Sequence, residues 1–199
     1  MKKSPLELRR EQALGVGEAL FYDEPLHIVR GEGAYLYDAD GRRYVDMYNN
    51  VPCVGHGNPV VAEAMARQQA TLNVHSRYLH EGIVAFAERL TGLQHDGIES
   101  AIFSCSGTEA VDVAIQMARV ATGRRGIVCT NATYHGSSAF VDQLSYLGRA
   151  SCESDEIRAF PFPELYRPLV EGADEEEIGE AYLRTVRAAI DGLQQSGAG

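Results

Sequence analysis

Lysine is almost absent from this chain. It stands only at Lys2 and Lys3, and every other basic residue is arginine. Chemistry that needs an amine from within the chain has only these two candidates, and both sit at an end that frays. Positive charge is scarce altogether: 18 Lys and Arg against 28 Asp and Glu leave a formal net charge of −10. That balance argues against nucleic acid or an anionic membrane as the main partner. No apolar run reaches the ~18 residues of a membrane span. The basic start Met1-Lys-Lys-Ser-Pro is followed by no apolar core of the kind a secretory signal carries. The expectation is a cytoplasmic protein without a membrane partner. Cys53, Cys105, Cys129 and Cys152 form no CxxC pair, and the six histidines form no HxxxH or HExxH spacing, so nothing points to a metal. Cys105 and Cys129 end apolar runs, which predicts buried free thiols.

The remainder is ordinary for a soluble globular chain, with 45% hydrophobic and 23% charged residues in 199. That length suits one domain or a little more and can bury a core. Charge is uneven: residues 151–199 hold 11 acidic residues and 4 arginines, which reads as solvated helix faces and loops. Leu6 to Leu20 is a short amphipathic stretch broken by Gly15 and Gly17. His27–Arg30 predicts a strand, and Ala34–Tyr37 and Arg43–Met47 flank the turn Asp38-Ala-Asp-Gly41, a hairpin pattern. The glycine pairs Gly15/Gly17 and Gly31/Gly33 read as turns. Pro59 opens a helix to about Leu72, where its missing N–H costs nothing. A second helix covers about Glu81 to Thr91. Ser100–Ser104 predicts a short buried strand, Thr108–Ala121 a helix, and Gly126–Thr130 a second strand. A helix after Ser138 reaches Leu144. Pro161, Pro163 and Pro168 mark an extended connection, Asp174–Leu193 is a long helix, and Gln194–Gly199 trail off.

Strand, helix and strand over Ser100–Thr130 make a βαβ unit, which implies a parallel sheet. Ligands bind such units at the loop after the strand, where a helix N-terminus presents unpaired N–H groups. Here that loop is Ser106-Gly107-Thr108. Gly107 lets backbone approach a bulky anion, and two hydroxyls add donors. The same residues, with Glu109 next, also read as a plain N-cap, and the two readings can hold together. After the second strand comes Tyr134-His135-Gly136, facing the same crevice. A tyrosine there can lie flat on an aromatic ligand, or be a half-buried loop residue. A phosphate cup beside an aromatic platform suggests a planar, phosphorylated cofactor.

The order "SGTEA", helix, strand, "YHG" resembles the class-III, fold-type I, pyridoxal-phosphate-dependent aminotransferases. Upstream, "GEGAYLYDADGRRYVDMYNNVPCVGHGNP" and "NVHSRYLHEGIVAFAERL" look like that family's N-terminal hairpin and following segments. "FYDEPLHIVRGEG" and Val74–His80 are similar to the branch of alanine–glyoxylate-like transaminases and ethanolamine-phosphate phospho-lyase. The resemblance covers roughly Phe21 to Leu147. It implies an α/β fold: part of a fold-type I large domain, a mostly parallel sheet with flanking helices, preceded by a segment with a small antiparallel sheet. Residues 1–58 would be that segment, part of the small domain, and 59–199 the first part of the large domain. It implies pyridoxal 5'-phosphate as cofactor, with Ser106, Gly107 and Thr108 around its phosphate, Tyr134 on its ring, and His135 and Gly136 shaping the loop beneath. Asn50 and Val51 would lie near the substrate entrance, and Arg77 and Tyr78 near a dimer interface.

The family's chemistry also needs a Schiff-base lysine and a carboxylate on the pyridinium nitrogen. Neither has a candidate here, so no catalytic residue is assigned. The expectation is the N-terminal half of a transaminase that moves an amino group from an amino acid or amine to an oxo acid, homodimeric when complete. A phospho-lyase on a phosphorylated amine is the alternative within the enzymes, and a non-catalytic module keeping the fold the alternative outside them. The chain can be a truncated sequence, a natural half-protein completed by another chain, or such a module.

Overall fold

The Asp38-Ala-Asp-Gly turn forms where the sequence predicts it, because one carboxylate satisfies the donors of the turn. Asp38 Oδ1 accepts the N–H of Asp40 at 3.0 Å and of Arg42 at 2.8 Å, and Oδ2 accepts the Tyr44 hydroxyl at 2.8 Å. The Tyr44 hydrogen bond, followed by the two backbone N–H groups, holds the Asp38 carboxyl below its ordinary range. The computed structural model describes residues 3–16, 20, 22–48, 53–145 and 154–199. They divide into two units, Met1–His80 and Glu81–Gly199.

In the first unit, helix α1 (Pro5–Leu14) starts on a capping box: the Ser4 hydroxyl takes the Glu7 N–H and the Glu7 carboxylate takes the Ser4 N–H. Strands β1 (Ile28–Glu32), β2 (Tyr35–Asp38) and β3 (Arg43–Val45) form an antiparallel sheet in chain order. Arginine planes cover tyrosine rings across it, Arg30 over Tyr37 at 3.6 Å and Arg43 over Tyr35 at 4.5 Å. Gly15 caps α1 as a turn residue, but Gly31 lies inside β1 rather than in a turn. A Cβ on Gly31 would stand 2.6 Å from the Cβ of His56, so this position keeps glycine to admit the histidine. His56 in turn meets the Asp46 carboxylate at 2.7 Å. Helix α2 (Pro59–Thr71) follows, with Asn58 as its cap and Pro59 in its first turn.

In the second unit, helices α3 (Glu81–Thr91), α4 (Gly107–Thr122) and α5 (Glu175–Gln195) accompany a parallel pair, β4 (Ile127–Thr130) and β5 (Ile157–Phe160). The core gathers Cys129, Leu144 and Ile157, joined by Ile115, Ile127, Phe140 and Ala159. Helix α5 buries Ile178, Ala181, Tyr182, Ala189 and Leu193, packing on both strands. No helix among the described residues is long and apolar enough to cross a membrane.

Several expectations need correction. Ser100–Ser104 has no regular structure and no strand partner among the described residues, and Ile102 and Phe103 are 64% and 48% exposed. A strand exists through ladder hydrogen bonds to a neighbour, and an apolar run alone does not supply one. The predicted βαβ unit is therefore observed as an irregular segment, α4 and β4. Cys105 is exposed at the end of that segment, whereas Cys129 is buried as expected; Cys152 lies outside the described residues. The helix expected after Ser138 is only a 3-10 turn, Val141–Leu144. Strand β5 was not foreseen, since its four residues include Arg158 and show no clean alternation. The last residues do not trail off. Ala198 is buried, and its carbonyl accepts the N–H groups of Arg125 (3.1 Å) and Gly126 (2.7 Å).

Candidate functional site

The mouth of α4 is built by three short-range hydrogen bonds. The Ser104 hydroxyl donates to the Ser106 carbonyl at 3.0 Å, the Glu109 N–H donates to the Ser106 hydroxyl at 3.2 Å, and the Cys105 N–H donates to the Glu109 carboxylate at 2.7 Å. Ser106 is thus the N-cap, extended at φ −155°, and the cap reading of the sequence holds. It leaves the N–H groups of Gly107 and Thr108, the first two of the helix, without an intrahelical acceptor. Space beside Gly107 is open: a Cβ there would have no atom within 4 Å. The mouth therefore offers two backbone donors and the positive end of the helix dipole to an anion, cap and all.

The loop after β4 is pressed onto that mouth. The Ser137 N–H donates to the Thr108 hydroxyl at 3.3 Å, which leaves the hydroxyl proton of Thr108 able to donate elsewhere. Gly136 is buried with φ 137°, a conformation that side chains resist, and a Cβ on it would lie 2.4 Å from Thr108 Oγ1. Only glycine permits this approach. From below, the loop is clamped to the 3-10 turn. The Thr133 hydroxyl donates to the Leu144 carbonyl at 2.9 Å, and the buried Ser145 hydroxyl accepts the His135 N–H at 3.0 Å and donates to the Gly136 carbonyl at 3.2 Å. Tyr134 is left 65% exposed in the same loop, and His135 is half-buried.

The structure thus brings Thr108 into contact with the 136–137 stretch, with Ser106, Gly107, Tyr134 and His135 flanking that contact. Asn50 and Val51 lie outside the described residues. Arg77 and Tyr78 are in the first unit, where the Arg77 N–H donates to His75 Nδ1 at 3.1 Å and Tyr78 is exposed. Sequence reasoning missed Thr133, Ser137 and Ser145. Each hydroxyl or N–H serves a partner that only the tertiary fold supplies, and a lone serine within "QLSYL" carries no local mark of that.

Comparison with known proteins gives the family and the fold. The family model "Aminotransferase class-III" matches residues 21–191, and the chain belongs to that family, whose members depend on pyridoxal 5'-phosphate. The alanine–glyoxylate aminotransferase 2-like protein of Drosophila melanogaster is 36% identical over 162 residues, which is 79% of this chain and 33% of that protein. Ethanolamine-phosphate phospho-lyase homolog 1 of Caenorhabditis elegans is 30% identical over 186 residues, covering 91% of this chain and 40% of that one. Among solved structures, a phospholyase from Arthrobacter in complex with phosphoethanolamine superposes with a TM-score of 0.85 at 37% identity. That match covers 98% of this chain and 46% of that one. The fold is that of the fold-type I transferases, and the chain spans a third to just under half the length of these relatives.

Proposed function

We propose that this chain supplies the phosphate-binding half of a pyridoxal-phosphate-dependent transaminase, which moves an amino group from an amino acid or amine to an oxo acid. The observation that carries the reading is the joined mouth: free N–H groups at Gly107 and Thr108, with Gly136 and Ser137 packed on Thr108 in the loop that carries an exposed Tyr134. The phosphate end of the cofactor fits this mouth chemically. It meets two backbone donors, hydroxyl protons at Ser106 and Thr108, and open space at Gly107. Tyr134 would cover one face of the ring, and His135 and Gly136 would shape the turn that carries it.

When bound, the cofactor supplies an aldehyde that captures amines and a ring that withdraws electrons. The residues here bind and orient it. The lysine that holds its aldehyde and the carboxylate that faces its ring nitrogen have no candidate in these 199 residues. Lys3 is exposed and paired with Glu11 at the start of α1. In this reading both groups lie on further sequence, the complete enzyme is a cytoplasmic homodimer, and Asn50 and Val51 line the substrate entrance. Residues 1–58 then belong to the small domain and 59–199 open the large one. The partners are a small-molecule amino donor and an oxo acid.

A second reading, a phospho-lyase acting on a phosphorylated amine, is favoured by the 0.85 superposition on a phospholyase complexed with phosphoethanolamine. The complete enzyme, with the sequence that carries the lysine, should release inorganic phosphate from phosphoethanolamine if this reading is right, and should instead pass an amino group from L-alanine to glyoxylate if the first is right. The cofactor site itself is tested by Thr108→Val. A spectroscopic titration should show affinity for pyridoxal phosphate falling about tenfold, as for a lost charge-assisted hydrogen bond, with thermal unfolding little changed. Unchanged affinity would reduce the mouth to a helix cap.

A further inference from the structure

Ser145 lies outside the mouth and outside every motif, yet its side chain grips the turn that carries Tyr134 at two points. It is 5% exposed. Its oxygen accepts the His135 N–H at 3.0 Å, and its proton goes to the Gly136 carbonyl at 3.2 Å. Those two backbone groups flank the peptide bond joining the residue next to Tyr134 to the glycine pressed on Thr108. Gly136 has no slack on its other side, because Thr108 fills the place of a side chain. The turn is therefore held between Ser145 beneath and Thr108 beside it, and the next N–H, at Ser137, closes onto the Thr108 hydroxyl at 3.3 Å.

We propose that Ser145 is a positioning residue that sets the Tyr134–Gly136 turn against the α4 mouth, and so fixes how far the aromatic platform stands from the anion site. The proposal rests on the cofactor reading above for its ligand, but its geometry is independent of it. Without the hydroxyl, the His135 N–H and the buried Gly136 carbonyl lose their partner and the turn must shift to find others. The mouth keeps its donors, since the Ser104, Ser106 and Glu109 bonds are local to it. A ligand that needs both platform and mouth is then weakened, while one that needs only the mouth is spared.

The test uses the full chain and its Ser145→Ala and Ser145→Thr variants. Three quantities are measured: affinity for pyridoxal phosphate by absorbance titration, affinity for inorganic phosphate by its competition or by calorimetry, and amide exchange at His135 and Ser137 by NMR. Ser145→Ala should weaken pyridoxal phosphate about tenfold and leave inorganic phosphate within about twofold. Exchange should quicken at both His135 and Ser137. Ser145→Thr, which keeps the hydroxyl, should restore both. Unchanged pyridoxal phosphate affinity, or parallel loss of both ligands, overturns the proposal. If the unaltered chain binds neither ligand, the cofactor reading fails. The exchange at Ser137 then still decides: quickening upholds the positioning role, and no change removes it. If the alanine variant loses protection at Ile127–Thr130, and so its fold, Ser145→Cys carries the same test with a weaker hydrogen-bonding group of similar size.

Discussion

Helices α4 and α5 belong to the same unit and both alternate apolar and polar faces, yet they are held in different ways. Helix α5 buries five side chains against β4 and β5. Helix α4 buries none fully, and its Met117 and Val120 are open to solvent. Its Ile115 reaches the core cluster half-buried, and the rest of its fastening is at its ends. At the N-terminus the Ser106 cap, the Glu109–Cys105 bond and the Thr108–Ser137 bond fasten it. At the C-terminus Arg119 bonds Glu156 at 2.8 Å and the Arg125 carbonyl at 2.9 Å, and its guanidinium lies 4.4 Å from the centre of the Phe140 ring. Arg125 adds a second ion pair to Glu156. The helix fixed by packing stabilises the unit, and the helix fixed mainly by its ends presents the mouth with its unpaired N–H groups. Polar fastening suits a mouth, because it specifies where individual N–H groups point, which area burial does not.

The comparison is broken most directly at a buried apolar residue of α5 and an exposed one of α4. Leu193→Ala in α5 should cost about 2–5 kcal/mol in a denaturant titration, the usual loss for a buried leucine. Val120→Ala in α4 should change stability by less than about 0.5 kcal/mol. Similar losses at the two sites would mean that α4 is also packed. Next in size, Arg119→Met removes an ion pair, a carbonyl contact and a ring contact together. About 1–2 kcal/mol should be lost, with salt reducing the difference from the unaltered chain. No salt dependence would place the loss in packing of the arginine stem. Ser106→Ala should cost about 1 kcal/mol through the cap, read by thermal unfolding; a neutral result would show that Glu109 alone holds the mouth.

The smallest effect lies in the first unit. The folded pKa of Asp38 is depressed, so its contribution is present above the ordinary carboxylate value and is lost as pH falls through the lower, folded one. Acid titration should weaken the hairpin below about pH 4, followed by tyrosine NMR shifts at Tyr44. Asp38→Asn should flatten that acid limb. An unchanged acid limb would show that the turn is held by its backbone alone.

Legibility in the sequence followed the range of the interaction. Asn58 and Pro59 announce α2, Ser106 announces α4, and the 38–41 turn announces the hairpin, because each depends on groups within a few residues. The Thr108 and Tyr134 motifs were visible for the same reason, as short runs at helix and strand ends. Ser145 was not, since its partners lie nine and ten residues back and meet it only once the loop folds over the 3-10 turn. Strand β5 was missed because four residues with an arginine among them become a strand only beside β4. Ser100–Ser104 failed in the opposite sense: its apolar run was real, but no described neighbour supplies the ladder.

By itself, then, the sequence determined the family, the caps and turns, and the residue types at the mouth: glycine where backbone must approach, hydroxyls where donors are needed. Only the tertiary structure decided that Thr108 and Gly136 touch, that Ser145 clamps the turn that carries Tyr134, and that α4 is fastened mainly by its ends. Propensity and capping act through the local chain, whereas those contacts join residues up to 37 positions apart. Such contacts exist only once folding has closed the loops between them.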